Sequence, residues 1–268
     1  MFDPPPLPNA KKKPKASWIG RALWLGLGLL IGIAGLWTAL RFSNFELSEK
    51  VLLPFQLEGD HVFGIDVSHY QGKIQWDEVR TSHHPIQYVF IRSTMGHNGR
   101  DKQFKKNWKE SKKKGYLRGA YHYYRPHENS EEQFKNFASK VELEDGDLPP
   151  ILDIEEMSRY GVGNLREGIN NWLRLAEDHY GVKPIIYTGR KFYSSHLEGH
   201  VDDYPLWIAS YSGKHKLKGI DWTFHQFTER VKVKGIKGTV DGNDYNGPIE
   251  DLIMLCKGST VAEEHTAP

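Results

Sequence analysis

From residue 60 onward, short apolar runs alternate with segments of helical period. Phe63–Val67 and Tyr88–Ser93 are compact runs rich in strand formers, as are Arg118–Tyr124, Pro150–Glu156 and Pro184–Gly189. Between them, Gln75–Ser82, Asp101–Lys114, Asn129–Val141, Asn164–Tyr180 and Phe192–Leu197 carry spacings that predict helices. Asp101 is the expected N-cap of its helix, with Gly115 just past the end. Asn164 and Glu167 have the spacing of a capping box, and Gly181 is a stop. After Leu197 the alternation ends, and Leu206–Tyr211, Trp222–Thr228 and Thr239–Tyr245 read as three further strands. Five strand–helix units followed by three strands predict an α/β fold in which a mostly parallel sheet closes into an eight-stranded barrel, with helices missing on one side.

The first sixty residues follow another pattern. Residues 1–16 combine five prolines with four lysines, which predicts a solvated, disordered tail. Ala22–Leu40 then runs nineteen residues without a charge. As a helix this spans about 28 Å, close to the roughly 30 Å hydrocarbon core. It is apolar on every face, and Trp18, Trp24 and Trp37 lie toward its ends. Residues 17–41 are therefore expected to form a single transmembrane signal anchor; a cleaved signal peptide is the alternative, although the apolar run is long for one and no clear A-x-A site ends it. Four lysines and Arg21 precede it, whereas only Arg41 and Lys50 follow closely, so the N-terminus is expected in the cytoplasm. The domain organisation expected is a tail over 1–16, an anchor over 17–41, a linker over 42–59, a barrel over 60–258 and a disordered tail over 259–268. The barrel would then be periplasmic or extracellular.

Composition narrows the function classes. A net charge of +2, with its basic excess confined to residues 1–59, does not describe a nucleic-acid binder. Cys256 is the single cysteine, which excludes an intramolecular disulfide and a cysteine zinc cage. The thirteen histidines show no metal-ligand spacing, His83 and His84 being adjacent and followed by Pro85. No phosphate-cradling glycine loop occurs, so neither metal, cofactor nor nucleotide is expected. The lysines between Lys105 and Lys114 read as a solvated helix face, with attraction to anionic wall polymers or lipid headgroups as the alternative.

Four acidic residues fall where barrel strands end. Asp66 ends the first strand, Asp153 and Glu155 end the fourth, and Asp241 lies in the last. In barrels of this kind the active site gathers at the strand C-termini. Asp153 and Glu155 are two apart, so both point to one face, the barrel axis, while Leu152 and Ile154 point outward. Carboxyls sharing a pocket repel, which raises at least one pKa, and an acid still protonated near neutral pH can protonate a glycosidic oxygen. Taken singly, Asp66 also fits a loop pin and Asp241, before Gly242, a turn. Tyr121, Tyr123, Tyr187, Trp207 and Tyr211 lie near the same ends, with His122 among them. Aromatic faces stack on pyranose rings. Tyr121, Tyr187, Trp207 and Tyr211 are the candidate substrate contacts, Tyr187 and Tyr211 foremost, although several of these rings would serve equally as barrel core.

The segments GIDVSHYQGKIQW, RGAYHYYRP, PILDIE, IIYTG, PLWIASY and VDGNDYNG, in this order over roughly residues 62–247, resemble glycoside hydrolase family 25, the Chalaropsis-type lysozymes. The resemblance implies a (β/α)5(β)3 barrel that hydrolyses the β-1,4 bond between N-acetylmuramic acid and N-acetylglucosamine, with peptidoglycan glycan strands as the partner. It further implies Glu155 as general acid/base and Asp153 as the partner that orients the substrate 2-acetamido group. Asp66 and Asp241 would line the subsite and tune Glu155. Retention of anomeric configuration, with the acetamido oxygen as internal nucleophile, is implied as well. Two features depart from the family: Met95 stands where many relatives carry an acid, and no wall-binding repeat follows the barrel. A chitinase-like hydrolase, which also uses a D-x-E pair, and a non-catalytic glycan-binding module are the alternatives.

Overall fold

The computed structural model describes residues 62–80, 82 and 85–259. The tail, anchor and linker expected over 1–59, the His83–His84 pair and most of the C-terminal tail lie outside the described residues. Among the described residues no helix is long and apolar enough to cross a membrane.

Eight strands close into a barrel. They are β1 (Val62–Val67), β2 (Tyr88–Met95), β4 (Leu117–Tyr123), β5 (Ile151–Asp153), β6 (Ile185–Gly189), β7 (Leu206–Ala209), β8 (Phe224–Val231) and β9 (Val240–Tyr245). The two-residue β3 (Gly99–Arg100) is a hairpin appended to β2. The order β1-β9-β8-β7-β6-β5-β4-β2 is sealed by the β1–β2 pairing. All barrel pairings are parallel except those of β9, which is antiparallel to both β8 and β1. The eightfold barrel expected from the alternation is thus the fold found.

Strand parity sorts the core into two layers. Val62, Tyr88, Phe90, Tyr121, Ile151, Ile185, Trp207, Phe224 and Tyr245 belong to one packed cluster that fills the barrel. Their alternates Phe63, Ile65, Val89, Ile91, Ala120, Leu152, Ile154, Ile186, Leu206 and Ile208 pack outward with the helices. Those helices are α1 (Trp76–Val79), α2 (Phe104–Lys113), α3 (Ser130–Ala138) and α4 (Val162–Tyr180). A further helix, α5 (Ile249–Met254), was not anticipated; its Leu252 joins Cys256 in the inner cluster. Leu152 and Ile154 lie outward as expected. His122 does too: it is fully buried, stacked on Trp172 at 5.8 Å, and desolvation lowers its pKa to about 4.

Helix starts differ from their expected positions. The chain enters α4 through Gly161, whose φ of 94° favours glycine, and Asn164 lies inside the helix, where its Oδ1 accepts from Ser158 Oγ at 2.7 Å. Gly181, with φ 71°, ends the helix as expected. Asp101 is not the N-cap of α2, a position held by Gln103; its Oδ1 accepts the Gln103 amide at 2.8 Å and its Oδ2 is engaged elsewhere. Of the basic residues around α2, Lys112 pairs with Glu144 at 2.8 Å and Lys114 with Asp77.

The inner layer accommodates its large rings by placing glycine opposite them. A Cβ built on Gly64 would lie 2.3 Å from Tyr88 Cε2, and Tyr88 is fully buried among Phe90 and Phe224. Gly64→Ala is therefore expected to lower unfolding stability by about 1–3 kcal/mol through overpacking. Denaturant titration checks this, and an unchanged midpoint would contradict the tight inner layer.

Candidate active site

At the end of the barrel where β1, β2 and β4 to β8 finish, the inner layer stops and a cavity of about 550 Å³ opens. Parity makes the next inward residue of each strand its lining. Asp66 comes from β1, Arg92 from β2, Tyr123 from β4, Asp153 from β5, Tyr187 from β6 and Gln226 from β8. Because β9 runs the other way, its first inward residue, Asp241, faces the same cavity and stands opposite Asp66 in register. Glu155 lies two residues past Asp153, beyond the end of the strand. The Ile154 amide still donates to the Tyr187 carbonyl at 2.9 Å, which keeps the chain in line and Glu155 on the cavity side. All four sequence-selected acids are thus brought together.

Asp66 is the fixed point. It is buried, and its Oδ2 accepts from Gln226 Nε2 at 2.9 Å and Asn243 Nδ2 at 2.8 Å. The other ends of those amides are also held. Gln226 Oε1 accepts from Tyr187 Oη at 2.9 Å and Tyr211 Oη at 2.8 Å, and Asn243 Oδ1 accepts from Trp207 Nε1 at 2.8 Å. Burial raises the Asp66 pKa, and the amides pull it back toward the charged form. Asp241 has no such support. Burial first, and then the Asp66 charge beside it, push Asp241 up to about 8. Asp241 therefore carries the proton and donates it to Asp66.

Asp153 and Glu155 form a second pair. Burial raises Asp153 well above the usual carboxylate range, as do the charge of Glu155 and their mutual hydrogen bond; Arg92 opposes the shift in part. Glu155 is exposed as a residue, yet desolvation at the cleft wall raises its pKa, against the bond from Asp153 and with the Glu156 charge. The pair holds at least one proton at neutral pH. Asp153 Oδ1 is buried and has no hydrogen-bond partner. Leaving such an acceptor bare costs about 1–3 kcal/mol, so it marks a place where an incoming donor is stabilised.

The aromatic candidates divide. Tyr211 is half exposed at the rim and Tyr187 half buried in the wall. Trp207 and Tyr121 are buried, with the Trp207 ring packed at a tilt against Phe90 and Tyr187 at 4.5 and 4.3 Å; they form the floor and offer at most an edge. On the opposite rim Tyr70 is 78% exposed. Met95 also lines the cavity, and Arg125 Nη2 donates to its sulfur at 3.4 Å while Arg125 Nη1 reaches Glu128 at 3.2 Å. The rim at Met95 is therefore a thioether beneath a guanidinium.

Sequence reasoning passed over Gln226, Asn243, Arg92, Tyr70 and Glu229, all at or around the cavity. Parity contained a signal for the two amides. Asn243 is two residues from Asp241, and Gln226 two from the inward Phe224. Among the described residues no cluster of His, Cys, Asp and Glu could hold a metal ion. Asp66 is held by two amides and Asp153 is bonded to Glu155, while Asp153 Oδ1 stays bare.

Relatives share this architecture. The family-wide sequence model of glycosyl hydrolases family 25 matches residues 65–236. The uncharacterized protein YegX of Escherichia coli (strain K12) is 39% identical over 201 residues, covering 74% of this chain and 74% of that protein. Lysozyme M1 of Streptomyces globisporus is 30% identical over 229 residues, 79% of this chain and 76% of that one. Among solved structures, the bacterial lysozyme from Streptomyces coelicolor superposes with a TM-score of 0.67 at 28% identity, covering 76% of this chain and all of that one. A family 25 glycosyl hydrolase from Bacillus anthracis gives 0.67 at 26% identity, covering 74% and 95%. With the family's sequence model matched over residues 65–236 and a lysozyme 30% identical over 79% of this chain, the chain belongs to glycosyl hydrolases family 25.

Proposed function

We propose that this glycoside hydrolase is a muramidase that cleaves the β-1,4 bond between N-acetylmuramic acid and N-acetylglucosamine in peptidoglycan, with Glu155 as general acid/base and Asp153 as the group that binds the substrate acetamido. The observation that carries the reading is the bare, buried Asp153 Oδ1 in a carboxyl pair with Glu155 that retains a proton. An acetamido N–H donated to Asp153 favours its charged form, so the shared proton moves to Glu155. Glu155 then gives that proton to the glycosidic oxygen as the C1–O bond breaks. The acetamido carbonyl oxygen closes on C1 to form an oxazolinium ion, whose N–H the Asp153 carboxylate holds and whose positive charge it balances. In the second half, the Glu155 carboxylate takes a proton from water, the oxygen of that water attacks C1, and the ring opens with net retention. No carboxylate nucleophile is needed, unlike the two-carboxylate scheme.

Asp66 and Asp241 would set the field in which this happens. By sharing one proton they place a single negative charge under the sugar, enough to favour a developing oxocarbenium without driving Glu155 out of the acid's working range. Tyr187 and Tyr211 would supply the sugar contacts, with Trp207 and Tyr121 beneath them.

The charge-free run over Ala22–Leu40 supports a membrane-tethered enzyme with a cytoplasmic N-terminus and the barrel outside the membrane, suited to remodelling nearby wall.

Digestion of purified peptidoglycan and of chitin oligomers, with identification of the new reducing ends, tests the activity. Muramic acid ends are expected. Chitin cleavage in their place would make the enzyme chitinase-like, and an absence of products from both would make the chain a binding module. Glu155→Gln is expected to lower kcat by about 10²–10⁴-fold, and full retained activity would remove Glu155 from its role. Asp241→Asn tests the proton assignment through stability. Unfolding frees a carboxyl that ionises near its ordinary 3.8, whereas folding holds it to about 8, so the native acid loses stability as pH rises between those values. The asparagine variant, whose amide still donates to Asp66, is expected to gain melting temperature progressively over that window and to level off above it. A gain independent of pH would contradict the assignment. Cell fractionation tests the tether: the full chain should stay with membranes through a high-salt wash, and recovery in the soluble fraction would count against it.

A further inference from the structure

The cavity is lined by six carboxyl groups yet contains a guanidinium beside the deepest of them. Arg92 extends from β2, two strands from Asp153 across β4, so the two backbones lie roughly 10 Å apart, about the width of a sugar ring with its substituents. Its position is over-determined. Arg92 Nε donates to Asp101 Oδ2 at 3.2 Å, its Nη2 lies against His69 Nδ1, and its guanidinium sits 5.0 Å over the Tyr70 ring. Asp101 is in turn locked: Oδ2 accepts the His69 backbone amide at 2.7 Å, and Oδ1 accepts the Gln103 backbone amide at 2.8 Å. The Asp101 side chain is 1% exposed and that of Arg92 13%. A buried carboxylate with three donors is an anchor for Arg92, and the Nη1 edge of the guanidinium has no partner among the described residues.

Substrate chemistry supplies that partner. On muramic acid the acetamido sits on C2 and the lactyl ether on the adjacent C3. If Asp153 takes the acetamido N–H, the C3 substituent projects to the neighbouring side of the ring. N-acetylglucosamine has only a hydroxyl there. Resting on the muramidase reading above, we propose that Arg92, positioned by Asp101, donates to the oxygen of the C3 lactyl group and is the residue that selects muramic acid over N-acetylglucosamine at the cleavage position. The shared feature recognised is the lactyl carbonyl or carboxylate oxygen, whether the group is free or amidated to a peptide stem. Arginine suits this task because its planar, permanently charged guanidinium can be held through Nε and Nη2 while Nη1 is aimed at the lactyl oxygen. A guanidinium retained merely to balance the surrounding acids would act equally on both sugars, and this difference separates the two roles.

Calorimetric titration of the full chain carrying Glu155→Gln, which prevents turnover, provides the test. Three tetrasaccharides serve as probes: one with free lactyl groups, one with peptide stems, and chitotetraose. With Arg92 present, both muramyl probes are expected to bind about tenfold more tightly than chitotetraose, the free carboxylate at least as well as the amide. Adding Arg92→Met should bring the ratio to near one, Arg92→Lys should leave it intermediate, and Asp101→Asn should lower it while Arg92 is intact. If Arg92→Met does not fold by thermal melt, the Lys and Asn variants decide the matter. A preference undiminished in these variants, no preference with Arg92 present, or a preference confined to the peptide-bearing probe would overturn the assignment. Wild-type digestion of peptidoglycan is scored separately. If muramic acid ends persist while the ratio stays put, only the role of Arg92 falls; if no such ends form, the muramidase reading falls first.

Discussion

The two hydrogen bonds that Gln226 and Asn243 donate to Asp66 Oδ2 hold the open end of the barrel together. They join β1, β8 and β9 at the seam where the sheet changes from parallel to antiparallel. They also fix which acid keeps its charge. With two amides on Asp66 and none on Asp241, the proton that the pair must retain resides on Asp241. The same amides reach outward to Tyr187, Tyr211 and Trp207, so the tyrosine hydroxyls at the wall and rim are oriented by the network that sets the charge. Disturbing one amide would therefore shift both electrostatics and shape.

The second carboxyl pair uses another device. Asp153 is buried inside the strand layer, while Glu155 stands just past the strand end, and their mutual hydrogen bond couples the two. In the proposed mechanism depth would separate their tasks: the deep acid would meet a fixed donor on the substrate, and the shallow one would exchange protons with leaving group and water. Burying four acids in one pocket lowers the stability of the folded state as pH rises. The inner aromatic layer beneath them, closed by glycine at the tightest contact, supplies the rigid floor on which such a pocket can persist.

Much of this was legible in the chain. Apolar runs and helical periods gave eight strands in the observed order, and the period of two placed Asp153 inside and Leu152 outside. Asp66 and Asp241 were legible as acids at strand ends, although each alone fits a turn or a loop pin. Helix starts were less legible, because cap residues are also ordinary hydrogen-bonding partners. Asp101 was spent on His69 and Arg92 and Asn164 on Ser158, choices made by tertiary neighbours rather than local spacing. Gln226, Asn243 and Arg92 were hidden for the same reason: an amide or guanidinium becomes part of a site only through what closes around it. Trp207, chosen as a sugar contact, is mostly covered, since an inward ring one layer below the strand ends is packed by its neighbours.

The central claim is that the cleft retains protons on chosen carboxyls at neutral pH. Carbon-13 NMR titration of side-chain carboxyls, assigned with Asp241→Asn and Glu155→Gln, measures it directly. Asp241 is expected to titrate near 8, and Glu155 and Asp153 above the ordinary carboxylate range. Titration of all four acids near their ordinary value of about 4 would contradict it.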